Sequence, residues 1–335
     1  MIGLLTIVVV EGVKHIKSMA NLLLTTDCQR KCCYCFAQGD RNKHMEFTWD
    51  NFITAANFVA TIEPKLINLL GGEPTLHKDF PKMLEYLLLN DFVVQVFTNG
   101  LADNKCLDKI SEVLKKVTLR EDQLKFSVNV NQSKEREIGE TEKQVAFFER
   151  FHKLAFPAFT IHEKDMDLSF LIDLVNKHNL DPAIRLGLAM PIIGVKNKYL
   201  PIKHYRNVAE SIVRLVDNSP GITVTFDCGF PLCMFDMAEI QRLSKSEEND
   251  FMFSCGQPVD IYPDLTATNC YPLSKLHKVN IQDFKDIVEL YKFFQDGFMT
   301  PTGIYGQKCL DCSFYRKVCS GGCRGFYKPE QQGGN

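Results

Sequence analysis

Residues 21–35 read NLLLTTDCQRKCCYC: an apolar run, a short polar turn, then cysteines at 28, 32 and 35 in the spacing C-x-x-x-C-x-x-C, with a further cysteine at 33. The apolar run predicts a strand, so Cys28, Cys32 and Cys35 fall on the loop leaving its C-terminal end. Three thiolates at this spacing can wrap one [4Fe-4S] cube and leave one iron without a protein ligand. A structural zinc site would want four ligands, and the nearest downstream histidine, His44, is badly placed to supply the fourth. Cys33 faces away from the other three if they converge, which makes it a structural residue.

Outward from this loop, residues 20–217 alternate short apolar runs with longer amphipathic stretches. The runs at 21–26, 65–70, 93–98, 124–130, 158–162 and 183–189 predict strands. The stretches at 49–61, 79–90, 104–115, 141–154, 167–178 and 202–217 predict helices. Six βα repeats imply a parallel sheet, and right-handed crossovers roll it into an open barrel. The fold class is therefore α/β: a partial (β/α)6 TIM-like barrel, whose chemistry is expected on loops at the C-terminal ends of the strands. After Pro220 and Gly221 the regularity gives way to short pieces rich in Cys, Gly and Pro, as in a segment organised around metal sites. The expected divisions are an N-terminal extension at 1–19, the barrel at 20–220, a small Cys-rich domain at 221–328 and a mobile tail at 329–335. The charged stretch 133–143 reads as the solvated lead-in to a helix.

Composition narrows the function classes. The 335 residues are 45% hydrophobic and 24% charged with 25 phenylalanines, as in a soluble globular protein. A formal net charge of -2 gives no electrostatic reason to expect nucleic acid or an anionic membrane as partner. The apolar run at 2–10 is too short to span a bilayer and lacks a basic flank and a cleavage site, so it reads as a strand. Without an export signal, thirteen cysteines point to metal ligands or catalytic groups in a reducing cytoplasm, rather than to disulfides.

The triple-cysteine spacing, with Tyr34 just before the third cysteine, resembles the signature of the radical SAM superfamily, over residues 20–217. The resemblance implies that the open iron chelates S-adenosylmethionine, and that one electron through the cluster releases methionine and a 5'-deoxyadenosyl radical. Gly71, Gly72, Glu73 and Pro74 follow the second predicted strand as GGEP, which the family uses to hold the methionine amino group. Paired glycines let backbone approach a ligand closely, and a carboxylate accepts from an ammonium. Asn99 ends the third strand within TNG, and Ser127 and Asn129 alternate on one face of the fourth. The resemblance suggests the ribose and carboxylate of the cofactor for these, hydrogen bonding within the barrel being the structural alternative. Arg185, within AIRLGLAMP, is a candidate carboxylate partner, since a guanidinium binds carboxylate in two places.

Eight cysteines follow the barrel. Cys309, Cys312, Cys319 and Cys323 run C-x-x-C, six residues, C-x-x-x-C; Cys255 and Cys270 stand upstream, separated by fourteen residues. Over 221–326 this resembles the SPASM domain, the auxiliary iron-sulfur module of radical SAM enzymes that modify peptides and some small molecules. The chain departs from that pattern at Leu265, where glycine is usual, in its six-residue gap, and in having no cysteine after Cys323. Cys228 and Cys233, in CGFPLC, bring the total to two sets of four. One arrangement gives a first auxiliary cluster Cys255, Cys270, Cys323 and one of the early pair, and a second Cys309, Cys312, Cys319 and the other. The alternatives leave the second cluster one ligand short, or one early cysteine free as a hydrogen-atom donor. Thiolate quartets with C-x-x-C spacing also suit zinc.

The resemblance implies a peptide or small-molecule substrate and an electron donor such as flavodoxin or ferredoxin. Members of this kind crosslink, epimerise or oxidise peptides, and others oxidise small polyols. Sulfatase-maturing members carry aspartate directly after the cysteine corresponding to Cys270; this chain has Tyr271, which argues against that activity. About twenty residues precede the barrel, too few for a fused leader-binding domain, so leader recognition is expected to be intrinsic or to come from a separate protein. The alternative class is a zinc-stabilised binding protein without catalysis. No residue is singled out as acid, base or hydrogen donor.

Overall fold

Val94 and Val96 are buried, whereas Gln95 and Phe97, on the opposite face of the same strand, are only half-buried. Such alternation arises where one face of a sheet is sealed by helices and the other lines a more open interior. In a computed structural model, which describes residues 19–243, 251–255, 258–297 and 302–327, seven strands lie parallel in sequence order. These are β1 (Met19–Leu23), β2 (Leu66–Leu70), β3 (Val93–Thr98), β4 (Leu124–Asn129), β5 (Ala155–Ile161), β6 (Ala183–Leu188) and β7 (Thr223–Phe226). Between them run α1 (Trp49–Val59), α2 (Phe80–Leu89), α3 (Asn104–Lys116), α4 (Glu140–Phe151), α5 (Phe170–His178) and α6 (Tyr205–Asp217). The chain is α/β with a partial barrel, and the six expected strands and helices are present with ends displaced by no more than three residues.

The sheet does not stop where a boundary was expected. β7 continues the parallel order past residue 220, and β8 (Val259–Ile261), from the Cys-rich region, pairs parallel with the free side of β1. β9 (Thr266–Thr268) and β10 (Val279–Asn280) extend that edge antiparallel, giving ten strands. Strands of two to four residues carry too little periodicity to stand out from a Cys- and Pro-rich background. The helix α7 (Ile287–Gly297) then packs Ile287, Leu290, Tyr291 and Phe294 into the main core.

Aromatic packing fixes the helix that matters most for the site. Phe126 of β4 meets Phe147 and Phe151 of α4 with ring centroids 5.3 and 5.2 Å apart, and those two phenylalanines lie 5.0 Å from each other. Each such buried ring contributes several kcal/mol on the scale of large-to-small core changes, about 3–5. The anchored helix brings its first turn to the C-terminal end of β4. Among the described residues no helix is long and apolar enough to cross a membrane. The run at 2–10 and the tail from 329 lie outside the described residues.

Candidate active site and cysteine groups

β1 ends at Leu23, and the chain turns through Thr25, Thr26 and Asp27 into the cysteine loop. Its thiols lie within one another's electrostatic reach. Burial pushes the Cys28 thiol up to about 11, against the pull of the Arg30 backbone N–H, and Glu73, Cys35 and Cys32 add to the rise. Cys32 is raised by burial, with Arg30 pulling down and Cys35 pushing up. Cys33, expected to face away from the other three, is exposed. His44 is turned to Asp27, 2.7 Å away, rather than towards the thiols as a fourth ligand.

The GGEP loop is clamped against this turn. The N–H groups of Gly72 and Glu73 each donate to a backbone carbonyl of the turn, those of Thr25 and Asp27, at 2.7 Å. A side chain at Gly71 would overlap the Thr25 carbonyl, one at Gly72 the Asp27 carbonyl, and Gly71 has φ +148°. The glycines thus make room for the chain's own cysteine loop. Glu73, expected as an ammonium acceptor, takes part in hydrogen bonds within the protein. Its carboxylate is buried and accepts from Thr75 N–H (3.1 Å), Thr75 Oγ1 (2.6 Å), Thr98 Oγ1 (2.7 Å) and Asn99 N–H (2.7 Å). Burial raises its pKa and these donors pull against the rise. Glu73 therefore fastens GGEP to the end of β3. There Asn99 Nδ2 donates to Cys28 Sγ at 3.8 Å, and its Oδ1 accepts from Gln29 at 3.3 Å.

Tyr34 lies over His162 with ring centroids 4.6 Å apart and donates to Asn131 Oδ1 at 2.9 Å. Asn129 Nδ2 donates to the Tyr34 hydroxyl at 3.4 Å, which ties the polar face of β4 to the cysteine loop. Ser127 on that face has a buried hydroxyl without a partner, and in the loops Gln29 Oε1 and the Nε and Nη2 of Arg41 are buried and unpartnered. Orphaned buried groups of this kind are what a bound polar cofactor would satisfy. Arg185 is already paired: its Nη2 lies 2.9 Å from Asp227 Oδ1 and its guanidinium sits 4.4 Å over the Phe97 ring. A carboxylate ligand there would have to share the guanidinium with Asp227.

The eight later cysteines separate into two groups. Cys228 is held up by a hydrogen bond with Cys255 and by burial, and it also lies in the field of Cys323. Cys270 is raised by burial and then by Cys323 and Cys255, and Cys323 is pushed up to about 12 by burial with Cys255 adding. Cys233 belongs elsewhere. Its thiol is pushed up to about 11 by burial and by Cys319, Cys309 and Cys312. A backbone hydrogen bond agrees with the second grouping: the N–H of Leu232, next to Cys233, donates to Cys319 Sγ at 3.4 Å. Further N–H donors point at Cys319 Sγ from Gly321 (3.3 Å) and at Cys323 Sγ from Gly325 (3.4 Å).

Crowding without a metal raises thiol pKa values, and coordination reverses this by deprotonating the thiol outright. Among the described residues no three His, Cys, Asp or Glu side chains stand close enough to grip a single metal ion. The donor sets consist of thiols alone, a donor type that suits iron-sulfur clusters and zinc alike. Sequence reasoning missed Gln29, Arg30, Arg41, His162, Asp227 and Glu140. The last lies in the stretch read as a solvated lead-in but is buried; its signal was an unexplained arginine inside the cysteine loop.

Residues 22–164 match the Radical SAM superfamily. The chain is 33% identical over 81 residues to the S-adenosylmethionine-dependent nucleotide dehydratase of Selenomonas ruminantium, covering 24% of this chain and 29% of that protein. It is 28% identical over 189 residues to the "Probable GTP 3',8-cyclase" of Methanococcus vannielii, covering 54% of this chain and 59% of that protein. The matches thus span less than two thirds of either relative. Among solved structures, Streptococcus suis SuiB bound to its precursor peptide SuiA superposes with a TM-score of 0.64 at 15% identity, covering 92% of this chain and 72% of SuiB. SuiB bound to S-adenosylmethionine gives 0.60 at 14% identity, over 92% of this chain and 73% of SuiB. These two likenesses concern the fold.

Proposed function

We propose, for a chain whose residues 22–164 are a radical SAM superfamily domain, that it is an enzyme abstracting hydrogen from a peptide or protein in order to crosslink, epimerise or oxidise it. Bound at Cys28, Cys32 and Cys35, a [4Fe-4S] cluster with S-adenosylmethionine supplies reductive cleavage to a 5'-deoxyadenosyl radical. The observation that carries the reading is the clamp between the cysteine turn and GGEP, with Glu73 fastening both to Asn99. In this reading the residues bind and orient: Asn99 supports Cys28, Tyr34 is steadied by Asn129, and Ser127, Gln29 and Arg41 offer free polar groups to the cofactor. Cys228, Cys255, Cys270 and Cys323 hold one auxiliary cluster, and Cys233, Cys309, Cys312 and Cys319 a second. The electron donor is a cytoplasmic reductant of the flavodoxin or ferredoxin kind.

Two observations bear on substrate. The likeness to SuiB extends over 92% of this chain, including its Cys-rich part, and favours a peptide. The relatives by sequence are named for nucleotides, which favours a small metabolite as the second reading. The test of the enzyme reading is the triple variant Cys28→Ala/Cys32→Ala/Cys35→Ala. It should form no 5'-deoxyadenosine from S-adenosylmethionine under dithionite while retaining its other iron. Continued cleavage would overturn the assignment. Colourless protein after anaerobic purification, with zinc in place of iron, would favour a non-catalytic binding protein.

A further inference from the structure

Arg30 lies inside the cysteine loop, yet its side chain turns into the protein. It is 3% exposed, and the Glu140 carboxylate facing it is 7% exposed. Arg30 Nε and Nη2 donate to the two oxygens of Glu140 at 2.9 and 3.1 Å, and Nη1 donates to the Asn129 carbonyl at 2.7 Å. Glu140 opens α4. One turn later Gln144 donates to the carbonyls of Asn99 (2.8 Å) and Asn129 (3.3 Å). The first turn of α4 therefore grips the cysteine loop and the ends of β3 and β4 together.

Mechanical anchoring does not by itself explain charge at this spot. Removing two charges from water offsets most of their attraction, and neutral residues of similar shape often hold a structure as well or better. Arg30 also lies close enough to Cys32 to act on its thiol. A redox centre on these cysteines gains negative charge on reduction, so a nearby cation favours the reduced form and an anion opposes it.

We propose that Arg30 and Glu140 are positioning residues acting as a charge-compensated clasp: Arg30 anchors the loop, and Glu140 cancels its charge, so that the anchor does not raise the potential at which the loop's cluster accepts an electron. This rests on reading Cys28, Cys32 and Cys35 as cluster ligands. The test is a redox titration of the iron-loaded protein followed by electron paramagnetic resonance, tracking the signal that changes when S-adenosylmethionine is added.

Glu140→Gln should shift that midpoint upward, Arg30→Gln should shift it downward, and the double variant should return it close to wild type. Arg30→Lys, which keeps the charge but not the forked hydrogen bonds, should stay near wild type. A purely structural role predicts none of these opposite signs. Shifts of the same sign in both single variants, no shift in either, or an Arg30→Lys shift equal to that of Arg30→Gln would each overturn the proposal. Loss of iron from Arg30→Gln leaves the sign for Glu140→Gln and the Arg30→Lys comparison to decide it. Wild-type protein with no signal sensitive to S-adenosylmethionine would instead overturn the underlying ligand assignment, and the clasp's redox role with it.

Discussion

The hydrogen atom at Gly72 faces the carbonyl of Asp27, the residue immediately before the first cysteine of the cysteine loop. Any side chain there displaces that backbone. Gly72→Ala should therefore lower iron and cofactor affinity together, with iron falling by about four atoms per chain if the catalytic cluster is lost. Iron assay beside S-adenosylmethionine binding checks this, and weakened binding at full iron would return the glycines to the role of a ligand cradle. Glu73 makes the complementary case. Its carboxylate satisfies four donors, and a buried donor left without an acceptor costs about 1–3 kcal/mol. Glu73→Ala should destabilise the fold by at least about 3 kcal/mol, read from the denaturant midpoint; a change under about 1 kcal/mol would mean that water replaces the carboxylate. At this scale the sequence made GGEP legible as a motif by its place after a strand. It left the inward-facing role of the glutamate illegible, because its partners Thr98 and Asn99 are brought to it only by the β2–β3 pairing.

Across strands the polar rungs tell most. Asn21 of β1 is in register with Asn68 of β2 and Asp260 of β8, and the three bond in a row: Asn68 Nδ2 donates to Asn21 Oδ1 at 2.8 Å, and Asn21 Nδ2 to Asp260 Oδ1 at 2.5 Å. Burial pushes the Asp260 carboxyl up to about 7, with Asn21 and the Tyr271 N–H pulling the other way. A carboxyl whose folded pKa is raised favours the folded state while it is protonated. Its contribution is full below the ordinary value near 4 and is lost as pH rises through about 7. Wild-type stability should thus fall by roughly 3 kcal/mol between pH 5 and pH 8 on this account, and Asp260→Asn should flatten the curve. Denaturant midpoints across that range check it, and identical pH curves for the two proteins would remove Asp260 as the cause. The six long βα repeats were readable because each strand is followed by a helix with a clear apolar stripe. β8 was not, since three residues have no period, and its pairing with β1 spans more than 230 positions of chain.

For the whole molecule, the sequence offered the eight later cysteines as two sets of four and left the division between the sets open. Cys228 and Cys233 are only five positions apart, and sequence distance cannot say which faces which group. The fold separates them: the turn after β7 leaves Cys228 beside Cys255 and Cys323, and the short helical turn at Leu232–Met234 carries Cys233 over to Cys319. In the proposed assignment Cys233 supplies the ligand that no cysteine after Cys323 provides, and one short loop spans both groups. If each group holds a cube, reconstituted protein should contain about twelve irons per chain, four from each of three clusters. Cys228→Ala should then weaken only the group with Cys255, Cys270 and Cys323, and Cys233→Ala only the group with Cys309, Cys312 and Cys319. Each change should lower iron towards about eight while 5'-deoxyadenosine formation persists, and the double variant should approach about four. Mössbauer and paramagnetic resonance spectra of the two single variants should differ, because different clusters remain. Wild-type iron near eight would mean that one group carries no cube. Single variants with full iron and identical spectra would free these two thiols for another task, such as donating a hydrogen atom to a product radical.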